Sequence, residues 1–222
     1  MKNTKDISNH FVKILVHGPA KSGKTRLCAT TGGRPLIISA EAGLLSLQGH
    51  DLDYEEIKCM ADLDRVYLEV LEDTTHDWIC LDSISEVAEV CLSDEKGKTK
   101  DPRKAYGELS EIMLKLVRAF RDLHKNVYMS AKQSKVKDEI TGGFYFGPSA
   151  PGQQIGQALP YLFDEIFALH NWKDAEGKMQ SALQTSRDAQ YEAGDRSGKL
   201  DLAEPPNLAH IYAKIINPKQ GA

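Results

Sequence analysis

The sequence predicts an α/β protein, with a mostly parallel central sheet flanked by helices and antiparallel strands at the C-terminal edge. Three observations predict it. Short apolar runs alternate with helix-like patterns, which is how a parallel sheet wrapped by crossover helices is written. The first of these runs leads directly into a glycine-rich loop, "GPAKSGKT", at Gly18 to Thr25. After Trp172 the pattern changes to short alternating segments separated by turn residues, as in antiparallel strands.

Taken in order, "FVKILVHG" reads as the first strand, "PLIISAE" as the second, "DWICLDS" as the third, "NVYMSA" as the fourth and "EIFALHNW" as the fifth. Leu109, Ile112, Met113, Leu116, Val117, Phe120 and Leu123 fall at spacings that keep them on one helical face, so a helix there should lie on the sheet. "QSALQT" and "QYEAG" read as the antiparallel edge segments, with turns around Lys173 to Lys178 and Gly194 to Gly198. A final helix, about Asn207 to Ile216, follows the start signal Pro205-Pro206. Ser93 to Lys104 and Lys132 to Gly152 are the least regular segments.

Composition sets the frame. A chain of 222 residues, 41% apolar and 27% charged, can bury one sizeable core, so 1–222 is expected to form one domain with its core over about 11–216. No stretch approaches the roughly 18 continuous apolar residues of a membrane span, and "MKNTKDISNH" has no hydrophobic signal region. No membrane partner is expected, and the cytoplasm is the expected location. Cys28, Cys59, Cys80 and Cys91 lie far apart within segments that read as core, which favours buried free thiols over zinc or disulfides. The net charge of −4 argues against wholesale nucleic-acid coating, while leaving room for a local basic loop on an acidic body.

"GPAKSGKT" fits GxxxxGK[ST] and sits after an apolar strand and before a helical segment, the context this phosphate cradle requires. Chance produces such a match in a chain this long in under about one case in a hundred. Gly18 and Gly23 let the backbone curl so that the N–H groups of the Pro19, Ala20, Lys21, Ser22 and Arg26 stretch point at phosphate oxygens, proline excepted. Lys24 reaches the β and γ phosphates, and the Thr25 hydroxyl is placed to ligate Mg²⁺. A second anchor for Mg²⁺ is expected at the tip of an adjacent buried strand. "DWICLDS" supplies Asp82. The nucleotide and metal expected are therefore ATP and Mg²⁺.

In order along the chain, "GPAKSGKT", "ISAEAGLL" after the second strand and "ICLDSISEV" resemble the RecA recombinase core. The closest resemblance is to the shortened RecA-like P-loop ATPases of bacteriophages, which act in single-strand annealing. It covers Phe11 to about Ile216, including "YEAGDRSGKL". In that family the acid ending the second strand orients or activates the attacking water, which implies this role for Glu41. A polar residue just past the fourth strand senses the γ phosphate, which implies Gln133, with Ala131 as the counterpart if the register shifts by two. "GDRSGKL" resembles the region that presents basic fingers to the next subunit's nucleotide, which implies Arg196 and Lys199. The phage relatives commonly carry a lysine two positions before the arginine, where this chain has Gly194, so Arg196 is the main candidate.

The two irregular segments follow the third and fourth strands, where the resemblance places two DNA-binding loops. The first contains Lys96, Lys98, Lys100, Arg103 and Lys104. The second combines Lys132, Lys135 and Lys137 with Phe144, Tyr145 and Phe146. Cations that contact phosphates and rings that stack on bases are what single-strand binding needs. Asp94, Glu95, Asp138 and Glu139 weaken the field, so affinity is expected to come from repeated sites in an oligomer.

The expected function is that of an ATP-hydrolysing, single-stranded-DNA-binding protein of recombination and annealing. Self-association into a ring or filament and a single-strand-binding protein as a further partner follow from the resemblance alone. Two alternatives share the motifs. One is a small-molecule kinase, which would need an arginine-bearing lid and an acceptor pocket; the other is a binding module in which ATP switches the DNA segments and hydrolysis is dispensable.

Overall fold

The structure, a computed structural model, describes residues 11–41, 43–138 and 142–217. Among the described residues the strands are β1 (Lys13–Gly18), β2 (Pro35–Ser39), β3 (Asp53–Glu56), β4 (Trp78–Asp82), β5 (Asn126–Lys137), β6 (Phe144–Ser149), β7 (Glu165–Lys173), β8 (Met179–Gln184), β9 (Gly194–Asp195) and β10 (Ala203–Glu204). The helices are α1 (Met60–Glu72), α2 (Ile84–Lys98), α3 (Pro102–Arg121), α4 (Gln153–Ala158) and α5 (Leu208–Ile216). One sheet runs in the order β10-β8-β7-β1-β5-β4-β2-β3, with β6 beside β5 and β9 beside β7. Along the order from β3 to β7 each adjoining pair is parallel, and β6, β8, β9 and β10 join antiparallel. This is the α/β class expected from the sequence, a mostly parallel sheet flanked by helices with antiparallel strands at the C-terminal edge.

All six residues of β1 are buried because layers cover both of its faces, which is why parallel strands read as unbroken apolar runs. Leu15 packs with residues of α1, α2 and α3 on one face, while Ile14 and Val16 pack with Leu27, Phe167 and α5 on the other. In α3, Ala105, Leu109, Met113, Val117 and Phe120 form the buried stripe. The helix starts seven residues before Leu109, at Pro102, and Asp101 caps it by accepting from the Arg103 N–H at 2.9 Å.

Several expectations need correction. Ser93 to Lys104 is not irregular: it is the end of α2, a short link and the start of α3. The cap at Asp101 and the cations of the last turn of α2, Lys96 and Lys98, favour helix here. The described residues of Lys132 to Gly152 are also regular, because "NVYMSA" runs on to Lys137 and pairs antiparallel with β6, so that Lys135 faces Phe146 and Lys137 faces Phe144 in this β5–β6 hairpin. Of that segment's acids, Glu139 lies outside the described residues. The segment after the cradle is a six-residue 3-10 helix, Thr25–Thr30, instead of an α-helix. "QYEAG" contributes one parallel bridge, Phe146 to Tyr191, and then β9. β3 and α1 carried no expectation: "DYEE" is an exposed, charged sheet edge with no apolar run, a composition that discourages pairing with another chain. No helix among the described residues is long and apolar enough to cross a membrane.

Candidate functional site

The cradle leaves the C-terminal end of β1. A side chain at Gly18 would meet Ser22 Oγ at 3.0 Å and the Leu169 carbonyl at 3.2 Å, so the position accepts only glycine without movement. Gly23 has φ 104° and Lys21 φ 61°, the left-handed backbone that curls the loop. Two side chains pin it from outside: Asn171 at the tip of β7 donates to the Ser22 carbonyl at 2.9 Å, and the Tyr128 hydroxyl donates to the Lys24 carbonyl at 2.8 Å.

Lys24 folds back over the loop, its ammonium donating to the carbonyls of Gly18 at 2.9 Å and Pro19 at 2.8 Å. Burial holds its pKa below the usual lysine range, opposed by the nearby charges of Asp82 and Glu41. Beneath it, Thr25 Oγ1 donates to Asp82 Oδ2 at 2.6 Å, and Ser130 Oγ donates to the other oxygen of Asp82. Asp82 is 3% exposed at the tip of β4. The next peptide, Asp82–Ser83, is cis. Ser83 caps α2 and donates to Glu41 Oε1 at 2.8 Å. Thr25, Asp82, Ser83 and Glu41 therefore form one chain of contacts under the lysine, and the Glu41 side chain turns toward the cradle.

Gln133 lies on β5 beyond the point where Lys132 is in register with Gly18. Its side-chain oxygen Oε1 is 3.2 Å from Nδ1 of His17, while Nε2 of His17 is 2.7 Å from the Glu192 carbonyl. His17 is fully buried, and burial pushes its pKa below the usual range, so the ring is neutral. A neutral ring donates once, and a carbonyl can only accept. Nε2 therefore donates to the Glu192 carbonyl at the shorter distance, and the contact of Nδ1 with Gln133 becomes a hydrogen bond when the Gln133 amide is turned to present its NH₂ group to the ring. Glu192 in turn donates its N–H to the Phe146 carbonyl at 2.8 Å, which continues the path from the cradle strand into the β5–β6 hairpin. Ala131, the other register candidate, is buried in the core and has no polar group to offer.

The predicted DNA residues fall into two groups. In the hairpin, Phe144 and Phe146 are exposed, Lys135 Nζ sits 4.2 Å above the Phe144 ring, and Tyr145 lies under Arg187 at 4.8 Å. Lys137 is exposed, whereas Lys132 pairs with Glu86 near the cradle. At the helical corner Lys98 is paired with Glu95 at 2.6 Å, Lys96 lies 5.7 Å from the Tyr106 ring, and Lys100, Arg103 and Lys104 are exposed. Tyr106 lies against Gly152, which follows β6, so the corner and the base of the hairpin are neighbours.

Arg196 is not brought to the cradle of its own chain. It bonds Asp164 at 2.8 Å beside β9, and β9 meets β7 at Glu165, which is in register with Ile14. Gly18 is four residues further along β1, a separation of about 13 Å along the strand. Lys199 is bound to the carbonyls of Ile215 and Asn217 at the end of α5, so it closes that helix.

A cavity of about 300 Å³ adjoins the cradle, lined by Gly23, Arg26, Leu27, Thr30, His50 and Pro206 among others. Ser22 Oγ is buried without a hydrogen-bond partner at the same loop. An orphaned hydroxyl, a curled backbone and a lysine held only by carbonyls fit a phosphate chain. The Thr25 hydroxyl beside the Asp82 carboxylate is a hard oxygen pair that fits Mg²⁺. Sequence reasoning missed His17, Ser130 and Asn171, whose contacts cross between strands. The one available signal was a histidine inside an otherwise apolar buried run.

A family model described as an AAA domain matches residues 10–197. Among solved structures, the flagellar accessory protein FlaH from Methanocaldococcus jannaschii is similar at 12% identity, covering 82% of this chain and 86% of that chain with a TM-score of 0.42. No match is found among curated proteins.

Proposed function

The chain belongs to the AAA domain family, and from that premise we propose that it hydrolyses ATP and binds single-stranded DNA in recombination or annealing. The observation that carries the ATPase reading is the contact chain from Thr25 through Asp82 and Ser83 to Glu41. It puts one carboxylate on the cradle hydroxyl and a second beside it, supported by serines.

In this reading the cradle and Lys24 hold the phosphates, and the 300 Å³ cavity beside Arg26 takes the base and ribose. Mg²⁺ held by Thr25 and Asp82 would supply positive charge to the phosphate oxygens. Glu41 positions the attacking water in line, Gln133 contacts the terminal phosphate, and Arg196 acts on a neighbouring subunit's nucleotide in a ring or filament. The hairpin with Lys135, Lys137, Phe144, Tyr145 and Phe146 contacts DNA, together with Lys96, Lys100, Arg103 and Lys104 at the helical corner. The His17 link between Gln133 and the hairpin also favours a second reading, in which ATP binding alone switches the DNA surface.

One experiment tests the first reading: ATPase rates of the wild type and of Lys24→Ala, with and without single-stranded DNA, alongside light scattering. DNA is expected to stimulate the wild type and increase its assembled size. Lys24→Ala is expected to lose about 10²- to 10³-fold in rate, the cost of removing one transition-state donor. Rates and sizes indifferent to DNA would remove the recombination reading, and dependence on a small acceptor would point to a kinase.

A further inference from the structure

Beyond the hairpin, the same sheet face carries a row of rings, half-buried at Tyr191 and His170 and exposed at Trp172, that no motif marked. Strand register fixes which side chains share that face. Lys135 is opposite Phe146 and Lys137 opposite Phe144, so these four point the same way. Tyr191, bridged to Phe146, stacks on its ring at 5.4 Å with planes 26° apart. The edge of the next ring, His170 on β7, meets Tyr191 at 4.4 Å. Trp172 follows two residues along β7, on the same side as His170, and is 47% exposed. Beyond it lies an open groove of about 620 Å³, lined by His170, Trp172, Ala182, Gln184, Arg187 and Leu202.

We propose that this row, from Phe144 through Phe146, Tyr191 and His170 to Trp172, is a stacking path for a single strand of nucleic acid, ending in the groove beside Trp172. The proposal rests on the single-stranded-DNA reading and extends it across β7 and β8, to residues outside both predicted DNA segments. Flat rings in series suit bases because every base has a π-face to stack. The exposed cations Lys135 and Lys137 on the same face suit the phosphates. Asp188, the acid at the groove, is engaged: Oδ1 accepts the backbone N–H groups of Gln190 and Tyr191, both at 2.7 Å, and so holds Tyr191 in the row. The groove's volume lies within the range of small-ligand sites, which leaves room for a base.

The chain contains a built-in reporter. Of its two tryptophans, Trp78 is 1% exposed in the core and Trp172 stands on the path. Oligo(dT) carrying a fluorescent label would be titrated into the wild type, Trp172→Ala and Trp172→Phe, reading anisotropy and tryptophan emission together. Binding is expected to quench the exposed tryptophan of the wild type. Trp172→Ala should weaken affinity by about 5- to 100-fold, the range for losing one stacked base, while Trp172→Phe stays within a few-fold of the wild type. Binding seen by anisotropy with unchanged emission and undiminished Trp172→Ala affinity would overturn the path and leave the hairpin reading standing. No binding by the wild type would overturn both. A changed oligomeric size of Trp172→Ala without DNA would assign the face to contacts between copies and overturn the path.

Discussion

Glu41→Gln is expected to cut the ATPase turnover by about 10²- to 10⁴-fold, the range for a side chain that orients or deprotonates the nucleophile, while nucleotide affinity changes little. The substitution keeps an amide oxygen where Oε1 accepts from Ser83 at 2.8 Å, so the cap of α2 and the tip of β4 are preserved. What disappears is the negative charge beside Lys24 and Asp82. Because that charge acts on water and not on the phosphates, the loss should appear in kcat and not in binding of a fluorescent ATP analogue. Annealing activity separates the two readings above: annealing retained by this variant would favour the switch. Turnover at the wild-type rate would end the assignment of Glu41.

The second large effect concerns stability. Glu165 is 1% exposed at the start of β7, and one of its oxygens has no partner so long as the group is ionised. Burial, reinforced by the neighbouring Asp195 charge, pushes its pKa from 4.5 up to about 9. The buried carboxyl therefore keeps its proton at neutral pH and donates it to Asp195. Asp195 stays below the usual range: burial works against this, but donors at Ser197, Leu200 and Gly198 outweigh it. The folded pKa is the raised one, so the folded state binds the extra proton between about pH 4.5 and 9. Stability from this group is complete below 4.5 and declines as pH rises toward 9.

Glu165→Gln carries a permanent donor and has no proton to lose. Denaturant unfolding should find it no different from the wild type near pH 4.5 and more stable by about 3 kcal/mol at pH 7, from 1.36 kcal/mol per pKa unit. A difference between the two proteins that does not vary with pH would refute the shared proton.

Much of this was legible along the chain because the signals were local. The buried parallel strands wrote themselves as apolar runs, and the cradle and Asp82 announced themselves through turn geometry at strand tips. The segments 93–104 and 132–152 were misread for the same reason. Lysine-rich and glycine-rich stretches look irregular one residue at a time, while the Asp101 cap and the pairing of β5 with β6 give them order.

By itself the sequence determined the α/β class, the phosphate cradle and which carboxylates stand at strand ends. Those properties depend on residues within one turn or one strand, where backbone sterics and burial act over a few positions. Only the tertiary structure decided that Glu41 reaches Ser83, that His17 joins Gln133 to the hairpin, that Arg196 faces Asp164 away from its own cradle, and that five rings share one face. Each of these depends on which strands are neighbours and in what register, and a shift of one residue would turn every side chain of a strand to the opposite face.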